Sequence, residues 1–149
     1  GIHLRRRDYV TARPKHVPSL EHAARQVCHH LNRLNLSLVF IATDTDESEI
    51  NELRQHASQI CQISTQQILT YRPTEKVLEK ILDGGKAIVD QWICAHARYF
   101  IGSYESTFSF RIQEDREILG FSTDSTFNRL CGDYEGIACE KPTVWSIVY

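Results

Sequence analysis

At 149 residues the chain has single-domain length and can bury a sizeable apolar core. With 42% hydrophobic and 24% charged residues it falls among globular rather than disordered sequences. The net charge of -2, with no basic stripe interleaved with aromatics, excludes nucleic acid as a natural partner. No apolar run approaches the length of a membrane span, and arginines interrupt the amino terminus too soon for a signal peptide.

In chain order, Ile2 to Leu4 reads as a buried strand. It begins without a preceding turn or cap, so the chain is expected to be one piece of a larger protein. A loop, Arg5-Arg6-Arg7-Asp8, follows. Ser19 is placed to cap a helix to about Asn35, with Leu20, Ala24, Val27, Leu31 and Leu34 at helical spacing. Leu38 to Ala42 is an unbroken apolar run, as expected of a parallel strand covered on both faces. Asp46 and Glu49 form a capping-box-like start to a helix from Glu47 to about Ala57. Ile60 to Ile63 is expected to be a short third strand. A brief helix from Thr74 to Leu82 is expected to break at Gly84-Gly85. The helix from Lys86 to Ala97 is the most apolar, and Ala87, Ile88, Trp92, Ile93 and Ala97 are expected to be packed. Tyr99 to Gly102 reads as a strand, a helix starts near Thr107, and Ile118 to Phe121 reads as a last short strand. Pro142 and the run Val144 to Val148 are expected to pair at an edge or pack across the domain. Alternating strands and helices predict a Rossmann-like three-layer α/β domain over residues 1–149.

Ligands of a parallel sheet gather at the carboxyl ends of its strands, and three such ends are chemically distinctive. The first carries His3, Arg5, Arg6, Arg7 and Asp8. Arginine can grip two phosphate oxygens through paired N–H groups, and Arg5 ranks first because it adjoins the strand. The alternatives are a solvated basic loop or an arginine paired with Asp8. At the second end, Asp44 either accepts from a ribose or base or merely caps the next helix. The third, Gly102 to Ser109, places Ser106 and Thr107 at a helix start, where unpaired backbone N–H groups form an anion site, with Phe108 able to lie against a planar ring. Asp90 sits in the apolar helix and needs donors if buried: a guanine's N1–H and 2-amino group, or an internal salt bridge with Arg98 or Arg111. Trp92 reads as core.

Neither GxGxxG nor GxxxxGK[ST] occurs, which argues against dinucleotide redox chemistry and P-loop hydrolysis, and no His, Asp or Glu set has metal spacing. The composite is a nucleotide-diphosphate site without a nucleophile. Arginine and backbone N–H groups there would stabilise charge growing on a phosphate leaving group, which suits glycosyl transfer from a nucleotide sugar. The five cysteines match no zinc motif. Cys131 and Cys139 flank a glycine-containing loop and either form a short staple or act as small buried hydrophobes. Asn35-Leu36-Ser37 is a glycosylation sequon at a helix end, expected to be exposed.

The segments IHLRRRDY, VPSLE, VFIATD, AIVDQWICAHARYFIG, STFSFRI, REILG and NRLCGD resemble the carboxyl-terminal half of the protein O-fucosyltransferases, over nearly the whole chain. The resemblance implies one Rossmann-like, GDP-fucose-binding domain of a two-domain GT-B enzyme. The enzyme would transfer fucose with inversion to Ser or Thr of folded thrombospondin type 1 repeats in the endoplasmic reticulum lumen. It implies no cofactor and no strict metal requirement. By position, Arg5 would contact the diphosphate and support departure of GDP, with His3 and Asp8 organising the same pocket. Asp90 would read guanine, Ser106, Thr107 and Phe108 would form the nucleotide- and phosphate-binding turn, and Asp44 would lie at the cleft. Cys131 and Cys139 match a family disulfide; Cys28 and Cys61 would form an extra bridge, leaving Cys94 unpaired. The general base and much of the acceptor groove would lie in the amino-terminal half, so this chain by itself would be inactive. A fucosyltransferase acting on EGF-like repeats and a non-catalytic nucleotide-sugar-binding module are the competing readings.

Overall fold

The computed structural model describes residues 1–139. Five short strands form one parallel sheet: β1 (Ile2–Leu4), β2 (Val39–Thr43), β3 (Ile68–Leu69), β4 (Ile101–Gly102) and β5 (Asn128–Arg129). Their order is β3-β2-β1-β4-β5, with every pairing parallel. The helices are α1 (Arg7–Ala12), α2 (Leu20–Leu34), α3 (Glu47–Cys61), α4 (Glu75–His96), α5 (Thr107–Ile118) and α6 (Thr123–Thr126). In β1 the side chains alternate. Ile2 and Leu4 enter the core made with α2 and α3, while the register pairs His3 with Ala42, which packs on the opposite face with Cys94, Ala95, Phe100 and Ile112. The expected three-layer, Rossmann-like α/β architecture results.

Local chemistry explains the elements that match expectation. The Ser19 hydroxyl accepts the His22 N–H, and α2 ends at Asn35 in the left-handed region, where the exposed Asn35 is well suited by its short polar side chain. Asp46 caps α3 by accepting the Glu49 N–H at 3.0 Å. The reciprocal arm of a capping box is not made, because the Glu49 carboxylate holds Arg6 and the Thr45 hydroxyl instead.

Five expectations fail. The segment read as a loop from Arg5 to Asp8 turns helical at Arg7, where α1 (Arg7–Ala12) begins, so only Arg5 and Arg6 link β1 to it. Residues 60–63 are not a strand: α3 runs on to Cys61, which is bonded to Cys28 of α2, and Gln62 ends it at φ 57°. The third strand comes later, after a 3-10 turn at Thr65–Gln67. Short apolar runs at a helix end look like strands because periodicity cannot separate the two. The break in α4 falls at Leu82 (φ 56°) rather than at Gly84-Gly85, which lie within the helix. Residues 118–121 are the end of α5, where Gly120 at φ 80° permits a Schellman turn: Phe121 N–H donates to Arg116 O and Gly120 N–H to Glu117 O. Finally, Ile88, Trp92 and Ile93 are exposed, Trp92 by 50%, whereas Asp90, Cys94 and Ala95 are the buried residues of α4. The helix turns its less apolar stripe to the sheet, and Ala87 and Ala97 are only half-buried. Residues 142–148 lie outside the described residues.

Two disulfides are present, Cys28–Cys61 and Cys131–Cys139, with Cα separations of 5.8 and 5.7 Å, and Cys94 is a buried free thiol. Among the described residues no helix is long and apolar enough to cross a membrane.

Candidate functional site

The order of strands reverses between β1 and β4, so the connections leaving their carboxyl ends diverge and open a crevice. A cleft of about 610 Å³ lies there, lined by His3, Arg5, Asp44, Asp90, Ser106, Thr107 and Phe108. Three separate sheet edges and one helix therefore deliver their selected residues to a single volume. Asp8 is outside the lining and acts on it through Arg5.

Arg5 follows β1 directly. Its backbone N–H donates to Ser103 Oγ at 2.8 Å, and that hydroxyl donates to His3 O at 2.8 Å, tying β1 to the segment after β4. The guanidinium is held by Asp8 Oδ1 at 2.6 Å and Asp44 Oδ2 at 2.9 Å. It also lies over the Tyr9 ring, 5.5 Å from the centroid. Two carboxylates thus orient Arg5 while leaving N–H donors for a ligand. Asp44 does not cap α3; Asp46 does. Asp44 instead faces the arginine loop, where its Oδ1 accepts the Arg6 N–H at 2.8 Å. Arg6 is structural, committed to Glu49 and to the Pro18 carbonyl, whereas Arg7 is exposed on the rim.

His3 is 5% exposed, its Nδ1 is 2.7 Å from Ser109 Oγ, and its ring lies 4.6 Å from that of Phe108. Burial, aided by the nearby Arg5 charge, pushes its pKa down to about 3, so the imidazole is neutral at ordinary pH. Ser106 occupies the N-cap of α5 but makes no side-chain capping bond, so the first-turn N–H groups lack that partner. Phe108 is half-buried and Thr107 exposed at the cleft.

Asp90 is 4% exposed. Its partner is neither Arg98 nor Arg111 but Lys86, one turn earlier on α4, whose Nζ lies 2.6 Å from Oδ2. The other oxygen, Oδ1, is buried without a partner among the described residues. Burial, only partly offset by Lys86, raises the carboxyl pKa above its ordinary value. An unsatisfied buried acceptor in a cleft wall is costly unless a ligand supplies the donor.

Sequence reasoning left Lys86, Ser103 and Ser109 without roles. The Lys86–Asp90 spacing of four was a readable signal. The other two work across the sheet, and no local pattern announces them. Arg116 was also missed: it is wholly buried and donates to the Ala95 and Ser125 carbonyls, closing the end of α4 against α6.

A doubly wound parallel sheet with a polar cleft at its switch point defines a Rossmann-like α/β domain of the type that holds ligands at its carboxyl edge. The sequence model described as GDP-fucose protein O-fucosyltransferase matches residues 1–119, and the chain belongs to this family. It is 48% identical over 149 residues to GDP-fucose protein O-fucosyltransferase 2 of Homo sapiens, covering 100% of this chain and 33% of that protein. The Caenorhabditis elegans protein of the same name is 46% identical over the same shares of both chains. The Drosophila melanogaster one is 44% identical over 99% of this chain and 29% of its own length. The chain thus spans about a third of the length of these curated relatives. Among solved structures, POFUT1 in complex with GDP-fucose superimposes with a TM-score of 0.59 at 17% identity, over 88% of this chain and 40% of that one. POFUT1 in complex with GDP gives 0.56. At such identity the likeness carries the fold alone.

Proposed function

We propose that this chain forms the donor side of an inverting protein O-fucosyltransferase, in which GDP-fucose is bound in the cleft and fucose passes to Ser or Thr of folded thrombospondin type 1 repeats. The observation that carries the reading is the orphaned Oδ1 of buried Asp90, sharing one cleft with Arg5 and the open amino end of α5. Guanine offers the missing donors through N1–H and its 2-amino group. Arg5 and the first-turn N–H groups of α5 then face the diphosphate, where they stabilise the negative charge that grows as the sugar–phosphate bond breaks. His3 adds a neutral contact, Phe108 an aromatic surface, and Asp8 and Asp44 hold the guanidinium in place. No cofactor enters this chemistry.

Asp44 and Asp90 are both engaged by cations, which suits ligand holding better than proton abstraction. The general base and the acceptor groove are therefore assigned to the remainder of a two-domain GT-B enzyme, with which this chain must assemble to turn over. The exposed Asn35 sequon and two disulfides support the reading of a protein matured in the endoplasmic reticulum lumen.

Titration of GDP and UDP into the assembled protein tests the nucleotide: GDP is expected to bind far more tightly, and equal affinity refutes the reading. Arg5→Ala should lower kcat by at least a hundredfold with folding retained; unchanged turnover removes Arg5 from the mechanism. Presenting thrombospondin and EGF-like repeats side by side tests the acceptor, with modification expected of the former.

A further inference from the structure

Ser109 is 1% exposed, on the first turn of α5, and its hydroxyl touches two groups. The Ser103 N–H donates to it at 2.9 Å, and His3 Nδ1 lies 2.7 Å away. A hydroxyl has one proton to give and two lone pairs to fill. Ser103 N–H fills a lone pair and can take nothing in return. Of the two contacts, only Nδ1 can accept the hydroxyl proton, so satisfying that buried proton requires an unprotonated Nδ1. In a neutral ring the proton then resides on Nε2. With Nδ1 engaged behind it by Ser109, Nε2 is the nitrogen left to the cleft that His3 lines.

We propose that Ser109 is a positioning residue that fixes His3 as the Nε2–H tautomer, so that an uncharged N–H donor, not a basic nitrogen, faces the anion-holding end of the cleft beside Arg5. The functional half of this statement rests on the donor-site reading above; the tautomer itself does not. Such a donor suits a phosphate or sugar oxygen and cannot take a proton from an acceptor hydroxyl, so His3 is excluded as the general base. The geometry also explains Gly102: a Cβ there would stand 2.7 Å from Ser109 Cβ and 2.8 Å from its Oγ, displacing the hydroxyl from the ring.

Long-range 1H–15N correlation on the intact protein labelled with 15N-histidine, near pH 8, reads the tautomer of each of the seven histidines. His3 is assigned by its loss in His3→Gln. His96, whose Nδ1 meets the Trp92 carbonyl at 2.9 Å, supplies a contrasting Nδ1–H pattern. His3 is expected to show protonated Nε2 in the wild type. Ser109→Ala should shift the population toward Nδ1–H and raise the GDP dissociation constant roughly tenfold, the equivalent of about 1.4 kcal/mol. Gly102→Ala should shift the tautomer the same way with the hydroxyl still present. If Ser109→Ala does not fold, Ser109→Cys, close in volume but a poorer donor, gives the same readout. An Nδ1–H pattern in the wild type, or an unshifted Nε2–H pattern in the folded Ser109 variant, overturns the proposal. Tautomers as expected in a protein that binds no GDP would leave Ser109 in its role and refute the donor-site reading instead.

Discussion

Asp90→Asn separates ligand recognition from stability, because the wild-type carboxylate is poorly satisfied without a ligand. Its Oδ2 has Lys86, its Oδ1 has no hydrogen-bond partner among the described residues, and burial has raised its pKa. A hydrogen bond to a charged group contributes roughly 1.5–3 kcal/mol. Inosine diphosphate lacks guanine's 2-amino group and loses one such bond. The wild type should therefore bind GDP about 10- to 150-fold more tightly than inosine diphosphate. Asp90→Asn keeps the shape but presents an amide N–H where an acceptor is needed. Isothermal titration should show GDP affinity falling by about 3 kcal/mol, roughly 150-fold, and the preference over inosine diphosphate collapsing to within a few-fold. Without ligand, the variant should melt at or above the wild-type temperature, since removing a desolvated charge offsets the loss of one Lys86 contact. The pH dependence has a defined sign. Protonation of Asp90 turns one of its two acceptor oxygens into an O–H donor and removes the charge, so base discrimination should weaken as pH falls through the raised pKa; in the free protein, the raised pKa means this residue disfavours folding above it rather than below it. A variant that keeps full GDP-over-inosine discrimination, or one that simply unfolds, would refute the argument.

Two further outcomes follow from the fold. His3 has a folded pKa of about 3 against 6.5 for the free side chain, so the unfolded chain takes up the proton first and its contribution to stability, complete above pH 6.5, is lost as pH falls toward 3. Denaturant unfolding across pH 4–6.5 should show a slope to which His3 adds up to about 1.4 kcal/mol per pH unit, and His3→Gln should reduce that slope; an identical slope would show the imidazole to be solvated. Replacing both Cys28 and Cys61 by Ala opens a closed loop of 33-residue separation between α2 and α3 and should cost roughly 3–4 kcal/mol by chain entropy, read as a lowered melting midpoint. An unchanged midpoint would show that the packing of α2 on α3 already supplies the constraint.

The elements legible in the sequence were those whose signals are local. The unbroken apolar run from Leu38 to Ala42 read as a doubly covered strand and lies one residue from β2 at Val39–Thr43, Ser19 and Asn35 bound α2 by capping chemistry, and the alternation of strands with helices implied the parallel, three-layer sheet. That residues from separate strand ends line one cleft was readable for the same reason, since the carboxyl ends of parallel strands lie at one edge of the sheet. The sequence could not decide between alternatives that differ only in their partners across space. Asp44 read either as an acceptor for a ribose or base or as a helix cap, and only the approach of β1 to β2 turned it toward Arg5 and Arg6. The rotation of α4 is equally nonlocal: its apolar residues suggested one buried face, but docking on the sheet placed Asp90, Cys94 and Ala95 inward and Trp92 outward. The Ser103–Ser109–His3 network joins residues about a hundred positions apart, so its hydrogen bonds exist only once β4 and α5 are seated beside β1.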